Sequence, residues 1–282
     1  MTTLTHYPLA TIPATEVRTL HAAAVNQDYQ ISVALPFHYH TRPEQTYPVI
    51  YVLDANLNFA LVVEMVRAMN IRVPFCNELP DAIIVGIGYP VSGSLAESHA
   101  QVMHLRMRDF LPLRDEGAER FIQEMFPVAD RVASGGADRF LQFIQRDLVP
   151  LIEANYRADT AGRTLLGHSW GGLFALYALF QQPDLFQRYV AISPDLPHGQ
   201  GAILDDEQRF AARHDSLAVR LYLAYGEPEL NDYEWPFLER FLSALESRRY
   251  AGFQLTYQTF PNCTHCAVVA PAFQAGLVAV FA

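Results

Sequence analysis

Lysine is absent from the 282 residues, so all 20 basic side chains are arginine. Without an ammonium there is no Walker-A lysine, no pyridoxal Schiff base, no kinase strand lysine and no Ser-x-x-Lys pair. Positive charge is scarce altogether: 20 Arg stand against 30 Asp plus Glu, a net charge of −10 at pH 7, and no basic run accumulates locally. Such a chain repels polyphosphate backbones, and no nucleic-acid partner is expected. Cysteine is sparse as well. Cys76, Cys263 and Cys266 are too few for a disulfide scaffold, and the single Cys-x-x-Cys lacks the second pair of a structural zinc site, so no metal is expected. No apolar run approaches the roughly 20 residues of a spanning helix. Residues 1–28 lack a basic start followed by an apolar block. No membrane partner and no cleaved signal are expected, and a reducing cytoplasm fits best.

What is abundant is core material: 51% of residues are hydrophobic and 12% aromatic, which excludes disorder as the main state. Tyr29, Ile31, Val33 and Leu35 alternate with polar or small residues, the pattern of a half-buried strand in an antiparallel sheet. Residues 49–53 and 82–87 are continuous apolar runs, as in strands covered on both faces, with a stretch of helical length at 59–71 between them. Further buried strands read at 164–166, 190–192, 219–225 and 253–260, and helices at 138–156, 171–181, 234–247 and 271–281. The fold class is therefore α/β, with a mostly parallel central sheet, helices on both faces and an antiparallel N-terminal edge, in one domain over 1–282. One segment breaks the alternation. Residues 88–136, rich in Pro, Arg and acids, read as a long loop excursion, either crossing the mouth of a site or solvated with a short helix near Glu119 to Met125.

The sharpest motif is Gly167-His168-Ser169-Trp170-Gly171, a Gly-x-Ser-x-Gly between an apolar strand and an apolar helix. That context is the nucleophile elbow of α/β-hydrolases, which exposes a serine hydroxyl on a strained turn. His168, adjacent on the turn, reads as a packing residue. Serine needs a histidine to take its proton and a carboxylate to orient that histidine. In this fold the order is Ser, acid, His. Of the downstream histidines, His265 follows the last strand and is the expected base; His198 is expected to line the pocket and His214 to be solvated. The acid belongs to the loop Gly226-Glu227-Pro228-Glu229-Leu230-Asn231-Asp232, where Glu229 is favoured over Glu227 and Asp232. The oxyanion donors are expected from the backbone N–H of Trp170 and of Ala55 or Asn56. Arg106, Arg108 and Asp109 either bind an anionic part of the substrate or pair among themselves, and Tyr89, Trp170 and Phe59 either form aromatic walls or pack the core.

With these residues identified, the chain resembles the Putative esterase family of α/β-hydrolases, which includes enterochelin and bacillibactin esterases and esterase D type enzymes. The resemblance rests on Val49-Ile50-Tyr51-Val52-Leu53-Asp54, Val85-Gly86-Ile87-Gly88-Tyr89, Arg106-Met107-Arg108-Asp109-Phe110, Gly136-Ala137-Asp138-Arg139-Phe140, the elbow through Ala175, and Ile192-Ser193-Pro194. It implies carboxylic ester hydrolysis of a small molecule without metal or cofactor, with Ser169 as nucleophile and His265 as base. Two departures stand out. After Ile192-Ser193-Pro194 similar relatives tend to continue with Ser-x-Trp-Trp, whereas here the run is Asp195-Leu196-Pro197-His198, which removes an aromatic wall. The base is also flanked by Cys263 and Cys266, read as two small buried thiols packing the loop. A serine esterase acting on an aromatic ester or siderophore lactone is the first reading; an acyltransferase and a non-catalytic binding protein on the same fold are the alternatives.

Overall fold

The computed structural model describes residues 11–71, 73 and 78–282. Cys76 and residues 1–10, on which parts of the cysteine and N-terminal readings fall, lie outside the described residues. Eight strands form one sheet in the order β1-β2-β4-β3-β5-β6-β7-β8. They are β1 Thr15–Ala22, β2 Gln27–Ala34, β3 Tyr47–Val52, β4 Ile83–Gly88, β5 Ala158–His168, β6 Arg188–Ile192, β7 Arg220–Gly226 and β8 Gln254–Phe260. β2 pairs antiparallel with both β1 and β4; β4 through β8 run parallel. The buried strands β3 and β4 are the continuous apolar runs, since a strand covered on both faces has no solvent side to mark.

Period two divides the side chains of these strands between two cores. Ile50, Val52, Ile84, Leu166 and Val190 pack beneath α1 (Ala55–Ala68) and α9 (Val269–Phe281). Val49, Tyr51, Val85, Leu165 and Tyr189 face the opposite layer, which contains α2 (Leu95–Phe110), α4 (Ala137–Phe143), α6 (Trp170–Gln181) and α8 (Trp235–Arg248). A π-helical turn, Ile144–Leu148, joins α4 to α5 (Val149–Asn155). Among the described residues, no helix is long and apolar enough to cross a membrane.

The reading of 88–136 as a loop needs correction: it holds α2, which was not expected, and α3 (Glu116–Met125), which falls where a short helix was one of the alternatives. Ser94 caps α2 in a capping box, its hydroxyl accepting from Glu97 N while the Glu97 carboxylate accepts from Ser94 N at 2.7 Å. The buried face of α2 carries His104, Arg106 and Asp109, so apolar periodicity does not reveal it. The same cause hides α7 (His198–Ala211), whose buried face includes Asp206 and Glu207. Gln181 donates to Asp206 at 2.7 Å, and Arg248 and Tyr250 donate to Glu207 at 3.0 and 2.7 Å.

Candidate active site

The parallel strands end abruptly at one edge of the sheet. Asp54 after β3, Ser169 after β5 and Ser193 after β6 all adopt positive φ, at 53°, 60° and 43°. Positive φ is costly for residues with a Cβ, and its recurrence at three neighbouring strand ends marks a place where packing over-determines the backbone. At Ser169 (φ 60°, ψ −125°) the chain turns directly into α6. The flanking glycines are sterically required: a Cβ on Gly167 would stand 2.2 Å from the Gly171 carbonyl oxygen, and one on Gly172 2.8 Å from that of Ile192.

A cavity of about 500 Å³ opens over this edge, lined by Ser169, His265 and Glu229 together with Trp170, Asp195 and Glu234. α2 and α3 contribute Met103, Arg106, Phe121 and Ile122 to the same cavity. A larger cavity, about 650 Å³, lies between α2 and residues 127–132 and holds none of the three.

His265 Nδ1 meets Glu229 Oε2 at 2.5 Å. A carboxylate only accepts, so Nδ1 carries the proton and Nε2 keeps its lone pair. Glu229 closes the single turn Glu227–Glu229 that follows β7, and its Oε1 accepts from Gly226 N at 2.7 Å and from Ser193 Oγ at 2.8 Å. Burial acts to raise its pKa, but the hydrogen bonds from His265, Ser193 and Gly226 outweigh that and hold it below the ordinary glutamate range. Glu227 and Asp232 are exposed and do not reach His265. Ser193 was not singled out as a site residue in the sequence, although Ile192-Ser193-Pro194 is among the stretches that carry the family resemblance.

Arg106 lines the cavity, but its guanidinium is already engaged. Nε and Nη2 donate to the two Asp54 oxygens at 2.8 and 3.0 Å, and Nη2 also reaches the His168 carbonyl at 3.3 Å. Both partners are buried. A bidentate pair of this kind fixes two chain segments, here the β3–α1 turn and the elbow. Arg106 is therefore a clamp: of the two readings left open in the sequence, ion pairing is the one its contacts show, with Asp54 as the partner instead of Asp109. Arg108 lies elsewhere, donating to Asp109 at 2.7 and 2.8 Å and to Gln27 at 2.9 Å. Tyr89 is a core residue, packed on Tyr29, and its main chain exchanges two hydrogen bonds with the Asn56 amide group. His198 is buried at the head of α7 with Asp115 3.7 Å away and does not line the cavity. Substrate-binding roles for Arg108, Tyr89 and His198 are thus not supported by their positions.

His168 departs from its reading as a mere packing residue. Its Nε2 donates to the His265 carbonyl at 2.8 Å, and the two rings lie 4.5 Å apart. Burial, His265 and Arg106 together push its pKa down to about 3.

The family model described as Putative esterase matches residues 22–278. The chain belongs to this family. It is a serine esterase with Ser169 at its elbow. It is 37% identical over 229 residues to the ferri-bacillibactin esterase BesA of Bacillus subtilis (strain 168), covering 78% of this chain and 72% of that protein. It is 30% identical over 237 residues to the siderophore triacetylfusarinine C esterase of Aspergillus fumigatus, covering 81% of this chain and 73% of that one. Among solved structures, the BES protein from Bacillus cereus superposes with a TM-score of 0.79 at 26% identity, covering 99% of this chain and 100% of the other.

Proposed function

We propose that this esterase hydrolyses an ester of a siderophore, a lactone or its linear product, through an acyl-enzyme on Ser169. The observation that carries the chemistry is the contact of His265 Nδ1 with Glu229 in the cavity that Ser169 lines. His265 Nε2 accepts the hydroxyl proton as Ser169 Oγ attacks the ester carbonyl, and Glu229 stabilises the imidazolium that forms. The tetrahedral oxyanion is held by backbone N–H groups of Trp170 and of Ala55 or Asn56. These residues begin α6 and α1, where main-chain donors have no intrahelical acceptor. Because the Asn56 side chain is engaged with Tyr89, only its main chain is offered to the substrate. Collapse of the intermediate expels the alcohol, which takes the proton from His265, and water then repeats the sequence to release the acid.

The siderophore assignment is supported by the activities of the relatives. Cys263 is half-buried and Cys266 exposed, not both buried as expected; as free thiols they fit a reducing cytoplasm, where we place the enzyme, and the whole chain is read as one hydrolase domain acting without metal, cofactor or nucleic acid. The test is hydrolysis of p-nitrophenyl esters and of ferric siderophore esters, resolved by mass, in wild type and Ser169→Ala. Labelling of Ser169 by a fluorophosphonate and loss of all ester turnover in the variant are expected. Turnover surviving Ser169→Ala rejects the mechanism, and turnover of simple esters alone rejects the siderophore.

A further inference from the structure

The charge facing the catalytic cavity is unbalanced. Among the described residues Arg106 is the one arginine in its lining, and Asp54 neutralises it through two hydrogen bonds. Glu229 is matched by His265. Two further carboxylates in the same lining, Asp195 and Glu234, have no arginine within ion-pair distance among the described residues. Asp195 Oδ2 accepts only the indole N–H of Trp170, at 3.0 Å, and Glu234 Oε1 only a long contact from the Tyr225 hydroxyl, at 3.4 Å. The Tyr225 hydroxyl is itself committed to the Pro194 carbonyl at 2.7 Å. Aromatic rings complete this side of the cavity: Trp170, and Phe121, which is 59% exposed.

Carboxylates flanked by aromatic faces form the environment that stabilises an organic cation, by direct charge attraction and by the negative face of the ring. The same field opposes a polyanionic substrate. We infer that the ester accepted by this pocket carries an ammonium group, held by Asp195 and Glu234 against Trp170 and Phe121. This deepens, and rests on, the reading of the cavity as the site of Ser169-dependent ester hydrolysis. It selects amine-bearing siderophore esters over those whose iron-binding groups leave the complex strongly anionic.

The electrostatics of Glu234 agree with a site that favours a cation. Burial, Asp195 and Glu229 push its pKa up to about 7, against the Tyr225 hydrogen bond and His265. Asp195 is likewise raised, by burial first and by Asp115, although His198, Trp170 and His265 favour its charged form. A bound ammonium ion reverses this mutual penalty for both carboxylates.

The test compares matched esters within each protein, so that any general loss of activity cancels. On the acyl side, p-nitrophenyl 4-(trimethylammonio)butyrate is paired with its neutral isostere, p-nitrophenyl 5,5-dimethylhexanoate, and with the anionic mono-p-nitrophenyl glutarate. On the alcohol side, butyrylcholine is paired with 3,3-dimethylbutyl butyrate. The expected result is a kcat/KM ratio of cation to neutral isostere of at least about tenfold on one side, with the anion poorest. The ratio should fall to about unity in Asp195→Asn with Glu234→Gln, and partway in Glu234→Gln alone. It should also grow from pH 6 to 8 as Glu234 ionises; a pH effect on the chemical step common to both esters drops out of the ratio. A ratio near unity in wild type, a preference for the glutarate, or a cation preference that survives both substitutions overturns the inference. In any of those cases, turnover of the neutral esters that depends on Ser169 leaves the esterase reading intact; absence of turnover for every ester rejects that reading instead.

Discussion

The side chain of His168 holds the main chain of His265: Nε2 donates to the carbonyl at 2.8 Å while the rings lie 4.5 Å apart. A carbonyl only accepts, so Nε2 of His168 is protonated and its tautomer is settled by the contact. The residue before the nucleophile thereby ties the elbow to the loop of the base.

We predict that His168→Ala lowers kcat about five- to tenfold with little change in KM, the loss corresponding to one hydrogen bond of about 1 kcal/mol. His168→Gln, which can present an N–H to the same carbonyl, should recover part of it. Steady-state kinetics on a p-nitrophenyl ester decides this; a change confined to KM is the contrary result.

The depressed pKa of His168 also predicts an acid-linked loss of stability. Unfolded, the imidazole takes up a proton near its ordinary 6.5, whereas in the fold it does so only near 3. Between those values the unfolded chain binds the extra proton, so its contribution to stability, full above 6.5, declines as pH falls. Wild type should therefore lose more thermal stability between pH 7 and 5 than His168→Gln does. Parallel melting curves against pH contradict the assignment.

For Glu229 the expected consequence of substitution is large. Glu229→Gln should reduce kcat by about a hundredfold or more, because the amide neither stabilises the imidazolium nor enforces the tautomer. Glu227→Gln should change it less than about twofold. Ser193→Ala removes one donor from the carboxylate, so the pKa of Glu229 should rise towards the ordinary glutamate range, read from the pH dependence of its carboxyl carbon shift. Equal effects at 227 and 229 would exclude Glu229 as the orienting acid.

Breaking the clamp tests its structural weight. Arg106→Met leaves Asp54 buried and unpaired, and a cost of about 3–5 kcal/mol is expected. Adding Asp54→Asn should restore part of that stability, measured by denaturant unfolding. If the single variant melts like wild type, the pair does not join the two turns.

Much of this arrangement is legible in the sequence, and the parts that are not share a physical cause. Strands buried on both faces announce themselves as apolar runs, which is why 49–53 and 82–87 fall on β3 and β4. The elbow is legible because the crowding at Gly167 and Gly172 admits no side chain. The contact between Glu229 and His265 was expected from a carboxylate three residues beyond Gly226, where one tight turn brings it back over the strand end. β1 escaped notice as an edge strand with mostly exposed side chains. Elements that bury charge were missed: α2 and α7 carry Arg106 and Glu207 on their buried faces, satisfied by Asp54 and Arg248 far away in the chain, and no local pattern reports such a partner. Asp195 and Glu234 were not singled out as site residues for the same reason in reverse, since nothing local says that a charge lacks one.

The roof of the cavity and its floor come from different stretches of chain. Met103, Phe121 and Ile122 belong to the segment between β4 and β5, while Ser169, His265 and Glu229 sit on turns that follow it. The shape of the roof and the chemical step are therefore separable units of inheritance: one contiguous exchange of α2 and α3 re-shapes the wall made by Met103, Phe121 and Ile122 while every reacting atom, and the carboxylates of Asp195 and Glu234, stay where they are. The condition on such a graft is Arg106. A transplanted roof that does not return a guanidinium to Asp54 and the His168 carbonyl gives up the fastening that joins roof to floor.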